Sequence, residues 1–166
     1  MNVLHYTDAS LKDLDEIVAI YNSTVATRMV TADLEPVSAE SKIPWFHEHK
    51  PGKRPLWIVK NKENELIGWV SFQNFYGRPA YDATAEISIY LHKDYRGNGL
   101  GKQVLDYSIG ECGNLGIKTL LGYIFAHNEP SLRLFNKAGF AEWAHLPNIA
   151  VLDGQERSVK ILGKPV

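Results

Sequence analysis

Residues 94–103 read DYRGNGLGKQ, and they place three glycines, Gly97, Gly99 and Gly101, within five positions. The residues that follow have the apolar spacing of a helix, so these glycines stand where a helix begins. Each glycine in a helical position costs up to about 1 kcal/mol relative to alanine, because glycine loses more backbone freedom on folding. A chain that accepts this cost three times must gain something at the same point.

The gain that this pattern favours is the binding of a phosphate group. A glycine-rich turn that opens a helix presents unpaired backbone N–H groups and the positive end of the helix dipole at one point. Glycine also lets the backbone adopt a positive φ and approach a phosphate closely. The alternative is an ordinary turn with a helix cap, for which a single glycine is enough.

Two common nucleotide-binding motifs do not fit this stretch. A nucleoside triphosphate loop has GxxxxGK followed by Ser or Thr, whereas Lys102 is followed by Gln103. The dinucleotide fingerprint GxGxxG requires its third glycine where Lys102 or Val104 stands. The ligand is therefore expected to be a phosphate compound of another kind.

Upstream of the glycines, the sequence predicts helices first and then a run of strands. A first strand, VLHYT, leads into a helix that starts at Ser10 and runs through Tyr21, and a second helix is predicted from Ser38 to about Lys50. Three strand-like runs follow, LWIVKN, LIGWVSFQNF and AEISIYLH, with turn-rich segments between them. Such a succession predicts an antiparallel meander.

Downstream, the helix that begins at the glycines runs to about Asn114 and is followed by the strand TLLGYIF. A strand, a helix and a strand of these lengths imply a parallel crossover. A further helix is predicted in PSLRLFNKAGF, with Gly139 as its stop, before strands around AEWAHL and RSVKILG. The predicted fold class is α+β, with one β-α-β unit in a mostly antiparallel sheet.

Composition narrows the class of protein further. The 166 residues, with 45% hydrophobic content and a formal charge of -1, predict a single domain over 1–166 with a full core. Charges of both signs are interspersed, which argues against nucleic acid as a partner, and no apolar run approaches the roughly 18 residues that span a membrane. The N-terminus lacks a signal pattern and Cys112 is the single cysteine, which together favour the cytoplasm.

No metal site and no catalytic role for cysteine or histidine are predicted. Cys112 falls in a predicted helix and is expected to be a buried, inert thiol. His47 and His49 share a helix at a spacing that does not place both on one face, so no metal ion is expected. His127, at the end of a predicted strand, is expected to pack or cap rather than to move protons.

The stretch RGNGLG, from Arg96 to Gly101, resembles the Gln/Arg-x-x-Gly-x-Gly/Ala motif with which the GNAT superfamily of N-acetyltransferases holds the pyrophosphate of acetyl-CoA. NEPSLRLFNKAGF is similar to the second element of that family. AEISIYL, NFYGRPAY and IYNSTVATRMVTADLEPV resemble its phosphinothricin and methionine sulfoximine acetyltransferase branch, so that the resemblance covers nearly the whole chain.

This resemblance implies a GNAT, or acyl-CoA N-acyltransferase, fold: a twisted, mixed and mostly antiparallel sheet with about four helices. It implies acetyl-CoA as co-substrate, a small amino-acid-like amine as acceptor, and a homodimer. The expected acetyl-CoA contacts fall into three groups. They are the pyrophosphate loop Arg96, Gly97, Asn98, Gly99, Leu100, Gly101 and Lys102; the strand backbone of Ile89, Tyr90 and Leu91 beside the pantetheine arm; and Asn128, Ser131 and Lys137 on the following helix.

Glu86 is the predicted general base. It stands in a strand otherwise made of apolar residues, where burial raises the pKa of a carboxyl group, and the resemblance implies a base at this position. The alternatives are a glutamate on an edge strand facing water, or one paired with an arginine.

Two positions on the last predicted helix carry qualifications. Asn128 is expected to bind the pantetheine arm by family analogy, but asparagine is also a good helix N-cap, and both roles are compatible. Phe135 stands where much of the superfamily has a tyrosine proposed to protonate the leaving thiolate, and phenylalanine has no proton to give. Solvent is then the expected proton source.

For the acceptor, Arg78 in YGRPAY is the predicted partner of an amino-acid carboxylate, with Phe75, Tyr76 and Tyr81 as walls and residues 29–31 closing the site. The alternative for Arg78 is a solvated loop arginine. The sequence thus favours an acetyltransferase for a small amino-acid-like amine, with another small amine or a non-catalytic acyl-CoA-binding module as alternatives.

Overall fold

The computed structural model describes residues 3–166. Within that range the chain forms seven strands and four α-helices. The strands are β1 (His5–Asp8), β2 (Leu56–Lys60), β3 (Leu66–Asn74), β4 (Thr84–Leu91), β5 (Thr119–Phe125), β6 (Ala141–Leu152) and β7 (Gln155–Pro165). The helices are α1 (Leu14–Val25), α2 (Ile43–Glu48), α3 (Leu100–Glu111) and α4 (Glu129–Lys137).

The described strands form one sheet in the order β1-β2-β3-β4-β5-β7-β6. Neighbouring strands run antiparallel except β4 and β5, which are parallel and joined through α3. This confirms the predicted meander of β2, β3 and β4 and the predicted crossover. The mixed, mostly antiparallel α+β class is therefore confirmed as well.

Side chains alternate along β4 between two apolar clusters on opposite faces of the sheet. Ala85 and Ile87 face the larger cluster, which includes Val104 of α3 and Phe135 of α4. On the opposite face a smaller cluster joins Ile17 of α1 to the central strands. Strands covered on both faces are buried almost throughout, as the runs of apolar residues in β2 and β3 predict.

The second predicted helix is much shorter than expected. Instead of a helix from Ser38 to Lys50, a 3-10 turn at Glu40–Lys42 precedes α2, which covers only Ile43–Glu48. Pro44 explains the late start, because proline lacks the N–H that a helix needs beyond its first turn. The final two strands show the opposite difference, since β6 and β7 extend well beyond the predicted AEWAHL and RSVKILG.

None of the helices within residues 3–166 combines the length and the apolar character that crossing a membrane requires.

Candidate active site

A cleft opens in the middle of the sheet where the two parallel strands diverge. The strands β4 and β5 pair at Thr84 with Thr119, at Ala85 with Leu120 and at Glu86 with Leu121, and the pairing then stops. Among the described strands, the remainder of β4 pairs only with β3, on its other side. The backbone of residues 89–91 therefore faces the gap with groups that no strand of the described sheet satisfies.

The cleft between the diverging strands is lined by α4, by the end of β4 and by the segment after α1, and it has a volume of about 330 Å³. Met29 and Val30, predicted to close the site, contribute to this lining. So do several of the predicted acetyl-CoA contacts: Ile89, Tyr90, Leu91, Arg96, Gly101, Asn128 and Ser131. Phe135 lies on the wall formed by α4.

The glycine stretch has the backbone conformation that the sequence suggested. Gly97 and Gly99 adopt φ values of 80° and 76°, in the left-handed region that other residues avoid. Gly99 is the N-cap of α3, and no side chain caps this end of the helix. Gly101 has a different reason to be glycine, because a Cβ there would lie 3.3 Å from Cδ2 of Leu134 across the cleft.

The two cations of the loop have different environments. Arg96 donates from Nε to the carbonyl of Leu91 at 2.9 Å, which ties the loop to the end of β4 beside the cleft. The ammonium group of Lys102 forms an ion pair with Asp106 one turn further along α3. Lys137 is exposed at the end of α4 and does not line the cleft. Asn98 is exposed in the loop, and Leu100, the first residue of α3, is buried.

Asn128 caps α4, as its alternative role predicted. Its side-chain oxygen accepts a hydrogen bond from the backbone N–H of Ser131 at 3.3 Å, while the residue itself is buried. Phe135 packs onto β5 at a glycine: a Cβ on Gly122 would lie only 2.6 Å from the ring. Residue 122 must therefore be glycine for α4 to approach the sheet this closely.

Glu86 lies at the point where the strands separate. Its strand is central rather than an edge strand, which contradicts one alternative, and within residues 3–166 no arginine or other group forms a hydrogen bond or ion pair with its carboxylate. Burial raises the pKa of this carboxyl group above its ordinary value. Such a group holds its proton more readily than a solvated glutamate, which suits proton transfer near neutral pH.

A second cavity, which we call the aromatic pocket, lies on the same sheet face as Glu86. Its walls include Trp45, Trp69 and Tyr90, and its volume is about 180 Å³. The Trp69 and Tyr90 rings stack with centroids 4.4 Å apart. Ser71, Gln73 and Ser88 provide the polar part of the lining, and Lys42 contributes a cation.

Register explains why the aromatic pocket adjoins Glu86. Glu86 stands opposite Gln73, and Ser88 stands opposite Ser71, so all four side chains point to one face of the sheet. This pocket was not predicted from the sequence. The pattern that indicates it is the alternation along two neighbouring strands: every second residue of β3, from Trp69 through Ser71 to Gln73, shares a face with the even-numbered residues of β4.

Two further tyrosines near the site were also missed. Tyr123 of β5 is half-exposed on the Glu86 side of the sheet, and burial and the charge of Glu86 together raise its pKa. Tyr21 of α1 donates a short hydrogen bond to Asp33 and makes another with Thr31. Burial and the bond to Asp33 raise the pKa of Tyr21 to about 12.

The predicted carboxylate-binding residues lie in a third cavity, which the loop between β3 and β4 forms. Arg78 and Tyr81 line it together with Lys53 and Asp82, and these last two form an ion pair at 2.9 Å. Phe75 packs against Tyr81 with ring centroids 5.6 Å apart. This loop leads directly into β4, two residues before Glu86.

The remaining candidates behave as structural residues. Cys112 is buried at the end of α3, where burial raises the pKa of its thiol to about 11. Nε2 of His127 bonds the carbonyl of Arg28 at 2.8 Å. Within residues 3–166, no three or more His, Cys, Asp or Glu side chains are grouped so that they would hold a metal ion.

Comparison with known families identifies the class of protein to which this fold and this site belong. Residues 17–140 match the model of the Acetyltransferase (GNAT) family. The chain therefore belongs to this family and is an N-acetyltransferase with acetyl-CoA as its co-substrate. This assignment favours an enzyme over the non-catalytic binding module.

Within the family, the chain is similar to proteins of one branch. It is 49% identical, over 94% of its own length and 95% of the relative's, to the Bacillus subtilis protein named "Putative phosphinothricin acetyltransferase YwnH". It is 28% identical, over 86% and 83%, to the L-methionine sulfoximine/L-methionine sulfone acetyltransferase of Pseudomonas paraeruginosa. A crystal structure of a phosphinothricin acetyltransferase from Sinorhizobium meliloti in complex with acetyl-CoA matches with a TM-score of 0.89, at 25% identity over 98% and 88%.

The cleft is suited to this co-substrate. Added Cβ atoms at Gly97 or Gly99 would meet nothing within 4 Å, so the backbone there is open to an approaching phosphate. The unpaired edge of β4 offers N–H and C=O groups to the amides of a pantetheine arm. Both features lie along one path that leads from the head of α3 to Glu86.

Proposed function

We propose that the protein transfers the acetyl group of acetyl-CoA to the amine of a small amino-acid-like molecule of the phosphinothricin or methionine sulfoximine and sulfone type. One observation supports this proposal above the others: the strands β4 and β5 stop pairing at Glu86, so an acyl group bound between them would lie near this unpaired, partly buried carboxylate. The names of the similar proteins support the choice of acceptor.

In this proposal the loop from Arg96 to Lys102 binds the pyrophosphate through its N–H groups and the positive end of α3. The backbone of Ile89, Tyr90 and Leu91 bonds the pantetheine arm in the manner of an added strand. Asn128 and Ser131 bind the same arm from the head of α4. Lys137 lies nearer the nucleotide end and contributes weakly, because its side chain is exposed.

Glu86 acts as the general base, directly or through one water molecule. An α-ammonium group has a pKa of about 8, so it needs only modest help in losing its proton. The neutral amine then attacks the thioester carbonyl, and a backbone N–H of residues 89–91 stabilises the charge that develops on oxygen. Because Phe135 has no proton to give, solvent protonates the departing thiolate.

The acceptor's carboxylate is assigned to Arg78, with Phe75 and Tyr81 as the neighbouring walls. A guanidinium group binds a carboxylate through two parallel hydrogen bonds, which fixes the orientation of the bound amino acid. In this proposal the carboxylate bound at Arg78 orients the α-amine towards Glu86, which follows in β4. The working form is a homodimer in the cytoplasm.

The test is a measurement of CoA release when the protein is mixed with acetyl-CoA and a panel of amines. The panel contains phosphinothricin, methionine sulfoximine, methionine sulfone, a polyamine and an aminoglycoside. We expect release with the first three compounds. Release with only the polyamine or the aminoglycoside would contradict the proposed acceptor class, and no release with any amine would contradict the proposed activity.

A further inference from the structure

A hydrogen-bonded chain of three groups ends in the aromatic pocket. Nδ1 of His49 lies 2.9 Å from the carbonyl oxygen of Trp45, and Nε2 lies 2.7 Å from Oγ of Ser71. Ser71 is 2% exposed and its hydroxyl lines the pocket. His49 is held in place further by an edge-on contact with the Trp45 ring, with centroids 4.8 Å apart.

The chemistry of the three groups fixes the direction of every hydrogen bond. A carbonyl oxygen only accepts, so Nδ1 of His49 must carry the proton and donate it. Burial lowers the pKa of His49, so the ring is neutral near pH 7 and Nε2 is an acceptor. The Ser71 hydroxyl must therefore donate to Nε2, and only its lone pairs remain to face the pocket.

Among the other polar groups of the pocket, Lys42 can only donate, whereas Ser88 and Gln73 have no fixed direction. The Ser88 hydroxyl and the Gln73 amide have no hydrogen-bond partner within the described range 3–166, so each can turn to donate or to accept. Ser71 alone among these three presents acceptors and no donor. A ligand oxygen that can only accept would face the Ser71 oxygen with no proton between the two atoms. The alternative is that Ser71 gives up its hydrogen bond to His49.

The pocket lies where an acceptor's side chain would enter. Along β4, Glu86 lies between Thr84, where the Arg78 loop ends, and Ser88; the pocket reaches the level of Glu86, because Gln73 lines it and pairs with Glu86. With the carboxylate on the loop side and the amine at Glu86, the side chain points along β4 towards Ser71. This placement rests on the proposed function, which supplies the position of the amine.

We infer that the aromatic pocket is the side-chain site of the acceptor and that Ser71, oriented by His49, selects side chains that end in a hydrogen-bond donor. The apolar part of such a side chain packs against the Trp45, Trp69 and Tyr90 rings. Its terminal N–H or O–H donates to Ser71 Oγ. His49 acts as a positioning residue, since it contacts Ser71 and not the ligand.

Methionine sulfoximine and methionine sulfone make a matched pair of probes. They have nearly the same shape, but the sulfoximine carries an N–H where the sulfone carries a second oxygen that only accepts. We expect kcat/KM to favour the sulfoximine by about 3- to 10-fold in the unmodified protein, the effect of one net neutral hydrogen bond. The ratio of the two values cancels any difference in the fraction of active protein.

Two substitutions and one control test the assignment. In Ser71→Ala the ratio is expected to fall to about 1, because the oriented acceptor is gone. In His49→Phe it is expected to fall likewise, although Ser71 remains, because its hydroxyl is then free to rotate and donate. Ser88→Ala is the control: it removes a hydroxyl from the same pocket, and we expect it to keep the preference.

Several outcomes would overturn the inference. One is a ratio of the two kcat/KM values near 1 in the unmodified protein. Another is an unchanged ratio in both Ser71→Ala and His49→Phe while turnover persists. That second result would leave the proposed function standing. An acetyl group found on Ser71 by mass spectrometry after incubation with acetyl-CoA alone would show instead that Ser71 is a nucleophile and His49 its base.

If neither compound is acetylated, the proposed function fails. The inference is then tested separately, by measuring how tightly each compound binds. Trp45 and Trp69 line the pocket, so their fluorescence reports its occupancy in the presence of CoA. Tighter binding of the sulfoximine than of the sulfone, lost in Ser71→Ala, would support the inference. Equal binding, or no binding of either compound, would overturn it.

Discussion

A partly buried carboxylate without a partner, as Glu86 is, makes the stability of the folded state depend on pH. Burial raises the pKa of Glu86 above its value in the unfolded chain. The folded state therefore binds this proton more tightly, and the contribution of Glu86 to stability is complete below the unfolded pKa. It is lost as the pH rises through the raised folded pKa. A carboxylate retained at such a cost in stability is typical of a functional site.

Replacement of this residue tests the cost directly. We expect Glu86→Gln to unfold at a higher temperature than the unmodified protein at pH 7, because glutamine carries no charge to desolvate. The difference is expected to shrink as the pH falls through the raised pKa of Glu86 and to vanish below about 4.3, the ordinary pKa of glutamate. Thermal unfolding followed by circular dichroism between pH 4 and pH 8 measures both effects.

An exposed glutamate provides the control for that experiment. Glu156→Gln removes the same charge at an exposed position of β7. Its effect on the unfolding temperature should be small, and it should be the same at every pH. A Glu86→Gln protein less stable than the unmodified one at pH 7 would show that the carboxylate is well solvated or paired in solution.

How far single residues are predictable depends on whether their partners are close in sequence. The raised pKa of Glu86 follows from its apolar neighbours along one strand, and the cap formed by Asn128 follows from the next three residues. His49 and Ser71 are 22 positions apart, and only the folded sheet brings them within 2.7 Å. No local pattern contains that contact.

At the scale of elements, the loop before α3 can be tested by adding one methyl group. Gly99 has a φ of 76°, and an L-residue in that conformation costs roughly 1–2 kcal/mol. We expect Gly99→Ala to turn the loop amides away from the pyrophosphate. Loss of one hydrogen bond to a charged group, worth about 1.5–3 kcal/mol, weakens acetyl-CoA binding about 10- to 100-fold.

Gly52 makes a matched control, because it has the same φ of 76° and open space around its Cα, but lies in the turn before β2. Gly52→Ala should lose a similar amount of stability without weakening acetyl-CoA binding. Calorimetric titration with acetyl-CoA distinguishes the two proteins. Equal affinity in both variants would mean that the loop at Gly99 does not bind the pyrophosphate.

Element boundaries follow from the sequence where a residue imposes them. The positive φ of Gly139 ends α4 at the predicted place. Pro44 imposes the start of α2, but the cap-like serines before it suggested an earlier one. The length of β6 and β7 was missed because their outer halves pair mainly with each other as a hairpin, with two register shifts and little buried apolar surface to reveal a pattern.

At the scale of the whole molecule, the outer strand β6 exposes apolar side chains that a monomer leaves in water. Ile149 and Val151 are 59% and 58% exposed and lie two residues apart on this strand. Exposed apolar groups on an edge strand favour association. We expect the protein to sediment as a dimer.

The double substitution Ile149→Glu with Val151→Glu is expected to convert that dimer into a monomer, because it places two like charges in a desolvated contact. Gln155→Glu adds a charge to the same hairpin without removing an apolar group, and this variant should remain dimeric. Sedimentation velocity distinguishes the two species. A monomeric unmodified protein would contradict the proposed assembly.

The overall topology was predictable because each step of it has a local signal. Turn-rich segments between β2, β3 and β4 predict hairpins, and α3 predicts the crossover to β5. The divergence of β4 and β5 after Glu86 has no comparable signal. The close packing of Phe135 of α4 on Gly122 of β5 likewise joins residues that sequence spacing does not bring together.

The central claim is that one cleft holds acetyl-CoA along the backbone from β4 to α3 while Glu86 removes the proton of the amine. Its most direct test is to measure acetyl-CoA affinity and steady-state turnover side by side in the unmodified protein and in Glu86→Gln. We predict unchanged affinity and a kcat lowered by about 10²- to 10⁴-fold, the usual effect of a general base. A variant that turns over at the normal rate, or that no longer binds acetyl-CoA, would contradict the claim.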